Sequence, residues 1–394
     1  MSTATALPAA PKGRDTLLSA EEAARVRLPF EKASLLPLRC YSDAAFFEAE
    51  RRQVFHRSWL PVCRLEQIAN PGDFYARDFF NESVVIVRDR HGVLRALANV
   101  CRHRGRRIME GHGNCADAGA MVCPYHNWVY DLDGRLRGAP FMDKTADFRP
   151  RDLRLPELAL DVWQGFVFVN FDRDAAPVSK QLGTLDKVLA PFRMAEMKAV
   201  PFHDYPAPWN WKQTIENFSE AYHQPPVHPQ TFEPWCPAHM CRYDDVDGPY
   251  NLFWMPTASG GPLPTAFPVI EDLPLSYRST TLVVNVFPYM HFLIDPACIV
   301  WLDLDITGVQ THRNVWHLMV PPSTYALPDF EARKKGFLET ILPVWHEDTA
   351  ACTGAAVGSR SSFGEQGRLS WMEKSLHQFH NWLVDRYQSP YQSP

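Results

Sequence analysis

Residues 101–107 read CRHRGRR, and residues 123–126 read CPYH. Cys101 and His103 are separated by one residue, nineteen residues follow, and Cys123 and His126 are then separated by two. Two thiolates and two imidazoles suit a tetrahedral zinc ion. They also suit a [2Fe–2S] cluster with the cysteines on one iron and the histidines on the other. Both arrangements need two short loops brought together, so spacing leaves the choice open. Context favours the cluster, because each pair falls at the tip of a predicted β-hairpin and not at the start of a helix, as in a zinc finger. Pro124 stiffens one loop, and Gly105 lets the other approach closely. His112 and Cys115 lie between the pairs as rival ligands.

The bulk composition narrows the class. A chain of 394 residues has room for two domains. Hydrophobic content of 46% and charged content of 22% are ordinary for a globular protein. A net charge of −5 gives no general attraction to nucleic acid. The 34 prolines favour ordered loops and short strands over a helical bundle. No apolar run is long enough to span a bilayer, and the first residues lack the apolar core of a secretory signal. Nine irregularly spaced cysteines do not form a disulfide framework. The expectation is a cytoplasmic protein with no membrane or nucleic-acid partner.

Moving outward, residues 1–41 read as an arm that reaches for a neighbour. Helical periodicity covers 42–59, with Phe46, Phe47, Val54 and Phe55 on one side. Short alternating runs follow to about Phe171, including a hairpin with its turn at Asp89–Gly92. These mark an all-β domain over 42–172 with its leading helix. A second domain is expected over 173–388. NWKQTIENFSEAYHQ (210–224) reads as a helix stopped by Pro225 and Pro226. Residues 250–275 read as a long loop. TLVVNVFPYMHFLI, CIVWLDLDI and NVWHLMVP are strand signals, and helices are expected near 328–356 and 370–386. A tail, 389–394, ends the chain in a repeated YQSP.

A second constellation lies in ENFSEAYHQPPVH, residues 216–228. Glu220 and His223 are spaced to share a helix face. His223 and His228 would be splayed by about 140° on an unbroken helix, so the prolines must let His228 fold back. Two histidines and one carboxylate make the facial triad of non-haem Fe(II) oxygenases, with open positions for O2 and substrate. A lone histidine pair is more often structural; beside the cysteine–histidine motif the iron reading gains.

The two constellations, in this order, resemble those of the oxygenase (α) subunit of the Rieske non-haem iron oxygenases. The resemblance runs from about 42 to 386 and is carried by CRHRG, CPYHNWVYDLDG, NWK, ENFSEAYHQPPVH and WHEDTAAC. It implies an α+β chain: an all-β Rieske [2Fe–2S] domain plus a catalytic domain in which a helix-covered antiparallel sheet holds mononuclear iron. Cys101, His103, Cys123 and His126 would hold the cluster. His223, His228 and Asp348 would hold Fe(II), with Glu347 as the rival to Asp348. Glu220 would bridge His223 to a Rieske histidine of the next subunit in a homotrimer. Asn217 would face the vacant side of the iron or lie on the helix surface. Glutamate at 220 is similar to members acting on betaines and other quaternary amines. Asn127 stands where the family usually has glycine, and it is expected to hydrogen-bond near the cluster and tune its potential.

The function so implied is that of a terminal oxygenase component. It uses O2 and externally supplied electrons to hydroxylate or oxidatively demethylate a small aromatic, alicyclic or quaternary-amine substrate. Cis-dihydroxylation of an aromatic ring is the alternative; a Rieske electron carrier without oxygenase activity and a zinc-stabilised binding protein are more remote. No GxGxxG follows a strand, so NAD(P)H would act only through a separate reductase, with or without a ferredoxin. Arg102, Arg104, Arg106, Arg107, Arg135 and Arg137 offer an acidic carrier a docking face, and some of them would also pair with structural carboxylates. Phe253, Trp254, Val284, Phe287, Tyr289, His291 and Trp301 are the expected substrate-pocket residues. Purified protein should be red-brown and give a low-average-g electron paramagnetic resonance signal on reduction; colourless, zinc-bearing protein would remove the cluster reading.

Overall fold

The structure is a computed structural model and describes residues 17–117 and 119–389. The first sixteen residues of the expected arm and the end of the YQSP tail lie outside them. The described part of the arm packs on its own chain. Helix α1 (Ala20–Val26) opens on a capping box between Ser19 and Glu22. Leu18, Ala23, Val26 and Leu36 are buried in the main core, and the Leu17 N–H donates to Tyr387 O near the C-terminus. Helix α2 (Ala44–Gln53) starts at Asp43, whose carboxylate accepts from Ala45 N and Phe46 N. It ends six residues short of the expected limit at 59, and a 3-10 turn, Phe55–Arg57, follows.

Ten short strands come next: β1 (Leu60–Arg64), β2 (Asp73–Phe79), β3 (Glu82–Arg88), β4 (Leu94–Ala98), β5 (His112–Asn114), β6 (Met121–Val122), β7 (Val129–Tyr130), β8 (Leu136–Gly138), β9 (Ala159–Trp163) and β10 (Phe166–Asn170). They form three antiparallel sheets, ordered β4-β3-β2-β5, β6-β7-β8 and β1-β10-β9. Asp89 builds the β3–β4 turn by accepting from His91 N and Val93 N, with Gly92 at φ +79°.

The remainder surrounds one seven-stranded antiparallel sheet. In chain order its elements are β11 (Lys198–Ala207), α3 (Trp211–Asn217), α4 (Gln224–Val227), β12 (Arg242–Tyr243), β13 (Tyr250–Pro256), β14 (Thr280–Val286), β15 (Met290–Ile294), β16 (Ile299–Gly308), β17 (Thr311–Val320), α5 (Phe330–Gly358) and α6 (Lys374–Gln388). The strand order is β11-β17-β16-β15-β14-β13-β12. The expected loop over 250–275 begins instead with seven residues of strand, because YNLFWMP pairs residue for residue with β14. The Gly- and Pro-rich character starts only after Pro256.

The single helix expected over 210–224 is two. Helix α3 ends at Asn217, a turn follows, and α4 begins at Gln224. Pro225 and Pro226 open α4; they do not close α3. First-turn N–H groups have no helical partner, so proline is tolerated there. The break is pinned from the sheet. Asn251 and Asn285 both donate to Ser219 Oγ, and Asn285 also donates to Phe218 O.

Glu50 of α2 and Lys212 of α3 are fully buried, with Lys212 Nζ 2.9 and 3.0 Å from the two carboxylate oxygens. Trp211 Nε1–H donates to the same carboxylate at 3.1 Å, and so does the Tyr387 hydroxyl of α6. The rings of Tyr41, Phe46 and Trp211 surround the ammonium. Among the described residues no helix is long and apolar enough to cross a membrane. Lys212→Met should destabilise the fold by about 3–5 kcal/mol, since it strands a buried charge, and Glu50→Leu/Lys212→Met should recover most of that loss. Thermal melts of the three proteins test this; a wild-type melting temperature for Lys212→Met would refute it.

Candidate metal centres

The first cysteine–histidine loop is closed by a bridge between Val100 and Arg107, with Gly105 at φ +71°. The second connects β6 to β7. It is closed by Cys123 N–H donating to Trp128 O and Asn127 N–H donating to Cys123 O. Asn127 sits at φ +55° with its side chain exposed. The position has a backbone requirement of its own: a left-handed conformation, which glycine prefers and asparagine tolerates.

Cys101 and Cys123 are buried in the same small core, while His103 and His126 are exposed with their Nδ1 atoms 3.1 Å apart. The Tyr130 hydroxyl lies 3.3 Å from Cys101 Sγ and accepts from Arg102 N–H at 2.9 Å. Trp128 stacks on His103 at 4.9 Å. The rival ligands face elsewhere: His112 stacks on Tyr75, and the Cys115 thiol donates to Gly72 O. The four donors thus split into an inner sulfur pair and an outer nitrogen pair. That split fits a two-iron cluster with sulfur at one end and nitrogen at the other better than a single ion. Of the six arginines, Arg106, Arg107, Arg135 and Arg137 pair with Glu110, Asp78, Asp133 and Asp131. Arg104 lies over Tyr125 and donates to its hydroxyl.

The second centre assembles across the helix break. His223 Nδ1–H donates to Glu220 Oε1 at 2.5 Å, and His223 N–H donates to Glu220 Oε2. Glu220 and His223 therefore meet in a turn and not along a continuous helix face. His228 Nδ1–H donates to Glu347 Oε2 at 2.7 Å, and the Thr231 hydroxyl holds the same oxygen. Both Nε2 atoms point the other way, 3.4 and 3.0 Å from Asp348 Oδ1. Asn217 Nδ2–H also donates to that oxygen, at 2.9 Å. Adjacent positions on a helix face about 100° apart, so α5 sends Asp348 between the histidines and Glu347 to the outer edge of one. Among the described residues, His223, His228 and Asp348 alone bring three such donor atoms within 4.8 Å of one another.

The electrostatics of this centre favour a cation. Burial works against a charged His223, yet Glu220 and Asp348 raise its pKa to about 10. Burial likewise opposes the charge on Asp348, but hydrogen bonds from both histidines hold its carboxyl well below the ordinary range. Three carboxylates around two neutral imidazoles leave negative charge that protons or a divalent ion must offset. A ligand set of two imidazoles and a carboxylate, each imidazole steadied by a second carboxylate, suits Fe(II).

Two family models match the chain: the Rieske [2Fe–2S] domain over residues 58–150, and the ring hydroxylating alpha subunit (catalytic domain) over 194–389. The chain belongs to the Rieske oxygenase α subunits. It is 38% identical over 201 residues to the carnitine monooxygenase oxygenase subunit of Escherichia coli strain K12, covering 50% of this chain and 53% of that one. It is 34% identical over 215 residues to the glycine betaine monooxygenase oxygenase subunit of Chromohalobacter salexigens, covering 54% and 46%. The chain thus spans about half the length of the curated relatives it matches. A crystal structure of a quaternary ammonium Rieske monooxygenase shares the fold, with TM-score 0.78, 23% identity, and coverage of 94% of this chain and 99% of that one.

The cavity of this Rieske α subunit opens beside His223, His228 and Asp348. Its sheet wall is one row of side chains, Phe253, Val283 and Leu293, aligned across β13, β14 and β15. Phe218, Phe232, Met255, Ile341, Val344 and Trp345 complete the apolar lining. Of the expected pocket residues only Phe253 lines it. Val284 and Trp301 belong to the neighbouring row, Leu252–Val284–Phe292–Trp301, which faces the opposite side and packs on Phe166. Trp254 shares that side and donates to Asp244. Strand side chains alternate, so a one-residue error in phase moves a whole row to the wrong face. Phe287 and Tyr289 flank the β14–β15 turn and pack on Phe379 and Phe55. His291 lies on the cavity side of the sheet but behind the wall, stacked on Phe218 and hydrogen-bonded to Asn285. The lining residues on β14, β15 and α5 were missed; the phase of Phe253 and Met255 was their only sequence signal.

Asp348→Ala should lose the mononuclear iron and keep two cluster irons per chain, whereas Glu347→Gln should keep a bound iron with affinity lowered roughly 10- to 100-fold. Iron and sulfide analysis reads both; iron loss confined to Glu347→Gln would reverse their assignment.

Proposed function

We propose that the chain is the terminal oxygenase component of a multicomponent Rieske oxygenase. It hydroxylates or oxidatively demethylates a small organic substrate, and a quaternary amine is the first class to test. The observation that carries this reading is the convergence of His223 Nε2, His228 Nε2 and Asp348 Oδ1 beside an apolar cavity, in a chain that also pairs Cys101 with Cys123 and His103 with His126. When bound, the cluster and the iron supply electron transfer and O2 activation; the protein supplies position and electrostatics. Glu220 fixes the ring of His223 through Nδ1, Glu347 and Thr231 fix that of His228, and Asn217 orients Asp348. Each imidazole so held presents one donor atom, Nε2, and no alternative. The wall of Phe253, Val283, Leu293 and Trp345 keeps water from the reacting face.

Aromatic walls favour a cationic head group through cation–π attraction. The names of the carnitine and glycine betaine relatives point to the same class. The working unit is a cytoplasmic homotrimer in which Glu220 of one subunit meets the exposed His103 or His126 of the next. Glu220 also lines a second cavity, with Glu216 and Glu373. A separate reductase, with or without a ferredoxin, delivers electrons. Residues 42–172 form the Rieske domain and 173–388 the catalytic domain.

O2 uptake with a surrogate reductase across a panel of quaternary amines, alicyclics and arenes tests the activity. Product should appear with the amines first, and no substrate-dependent uptake with any member would sink the proposal. Glu220→Ala should keep both metals and lose most turnover; normal, coupled product formation would remove the bridging role.

A further inference from the structure

Fifteen residues line the cavity, and six of them are polar. Five of the six are committed to the metal centre: His223, His228, Asp348, Glu220 and Asn217. The sixth, Gln224, is not. It is the residue after His223 and opens α4, and its backbone N–H and C=O are used by Ala221 and His228. Its side chain is buried. The carboxamide Nε2–H donates only to Met255 Sδ, at 3.2 Å, and Oε1 has no hydrogen-bond partner.

The orientation of that amide follows from its neighbour. A thioether sulfur accepts and never donates, so the NH2 faces Met255 and the free group is the oxygen. A buried amide oxygen without a donor is costly in an empty cavity, and a ligand that brings an O–H or N–H relieves the cost. Among the described residues no lysine or arginine lines the cavity, and the carboxylates of Glu220, Glu347 and Asp348 outweigh a divalent ion, so a ligand carboxylate would be buried there without net positive charge.

We propose that Gln224 is the specificity-determining residue of this cavity. It reads a neutral hydrogen-bond donor, a hydroxyl or N–H, on a ligand whose compact head sits against the apolar wall and which carries no carboxylate. The inference rests on the cavity being the substrate site. It goes beyond the proposed function in naming the group that is read and the residue that reads it.

The test measures dissociation constants by calorimetry on iron-loaded protein without O2. Four probes form two matched pairs: choline against ethyltrimethylammonium, and 3,3-dimethylbutan-1-ol against 2,2-dimethylbutane. In at least one pair the hydroxyl probe should bind roughly tenfold or more tighter than its partner. Gln224→Leu and Gln224→Met should erase the difference while keeping iron content and melting temperature. Glycine betaine should bind more weakly than choline, and tighter binding overturns the exclusion of carboxylates. Equal affinity within both pairs overturns the role of Gln224, as does a preference that survives in both variants, or no binding of either hydroxyl probe. If only the neutral pair binds and discriminates, the role of Gln224 stands and the quaternary-amine assignment falls. O2 uptake with the tightest probe then reads the oxygenase activity separately.

Discussion

Glu50 and Lys212 have no water to solvate them, so each must keep the other. That requirement ties together three distant stretches of the chain: the helix before the first small sheet, the helix before the iron-binding turn, and the C-terminal helix through Tyr387. Helix α3 is held at its start by this pair, and its last residue, Asn217, holds Asp348. One short rigid element thus links the packing of the termini to the placement of a metal ligand. The NWK motif is a structural device first, and its link to chemistry runs through two turns of helix.

The same logic of obligatory pairing shapes both centres. The thiols lie inside and the imidazoles outside at one centre, so the sulfur end is shielded and the nitrogen end is exposed. At the other, a carboxylate on each Nδ1 leaves each Nε2 free to converge. The polar links among Ser219, Asn251, Asn285 and His291 stiffen the turn from the sheet side.

The metal motifs were legible because their chemistry resides in residue type and short spacing, which survive any error in secondary structure. The α+β class was implied by the resemblance the two motifs carry, and periodicity marked only the end of the all-β run near Phe171. The break at Phe218 was not legible, since a proline pair marks the end of one helix or the start of the next with equal force. Strand β13 was hidden by the glycines and prolines that follow it. The pocket was misread for a related reason: a strand declares that alternate residues share a face, but only its partners reveal which face. The left-handed backbone at Asn127 was likewise not legible, since only the turn around it reveals that need.

The alternation across β13, β14 and β15 has a consequence for how such a protein changes over time. Positions 253, 283 and 293 shape the cavity, while 252, 284 and 292, their immediate neighbours, pack in the core around Phe166. Selectivity and stability are therefore recorded on interleaved characters of the same strands. Drift at the first set can redraw the ligand range with little disturbance of the scaffold, and the second set can be held fixed throughout. A chain built this way is free to diversify in what it accepts long before it must relearn how to fold.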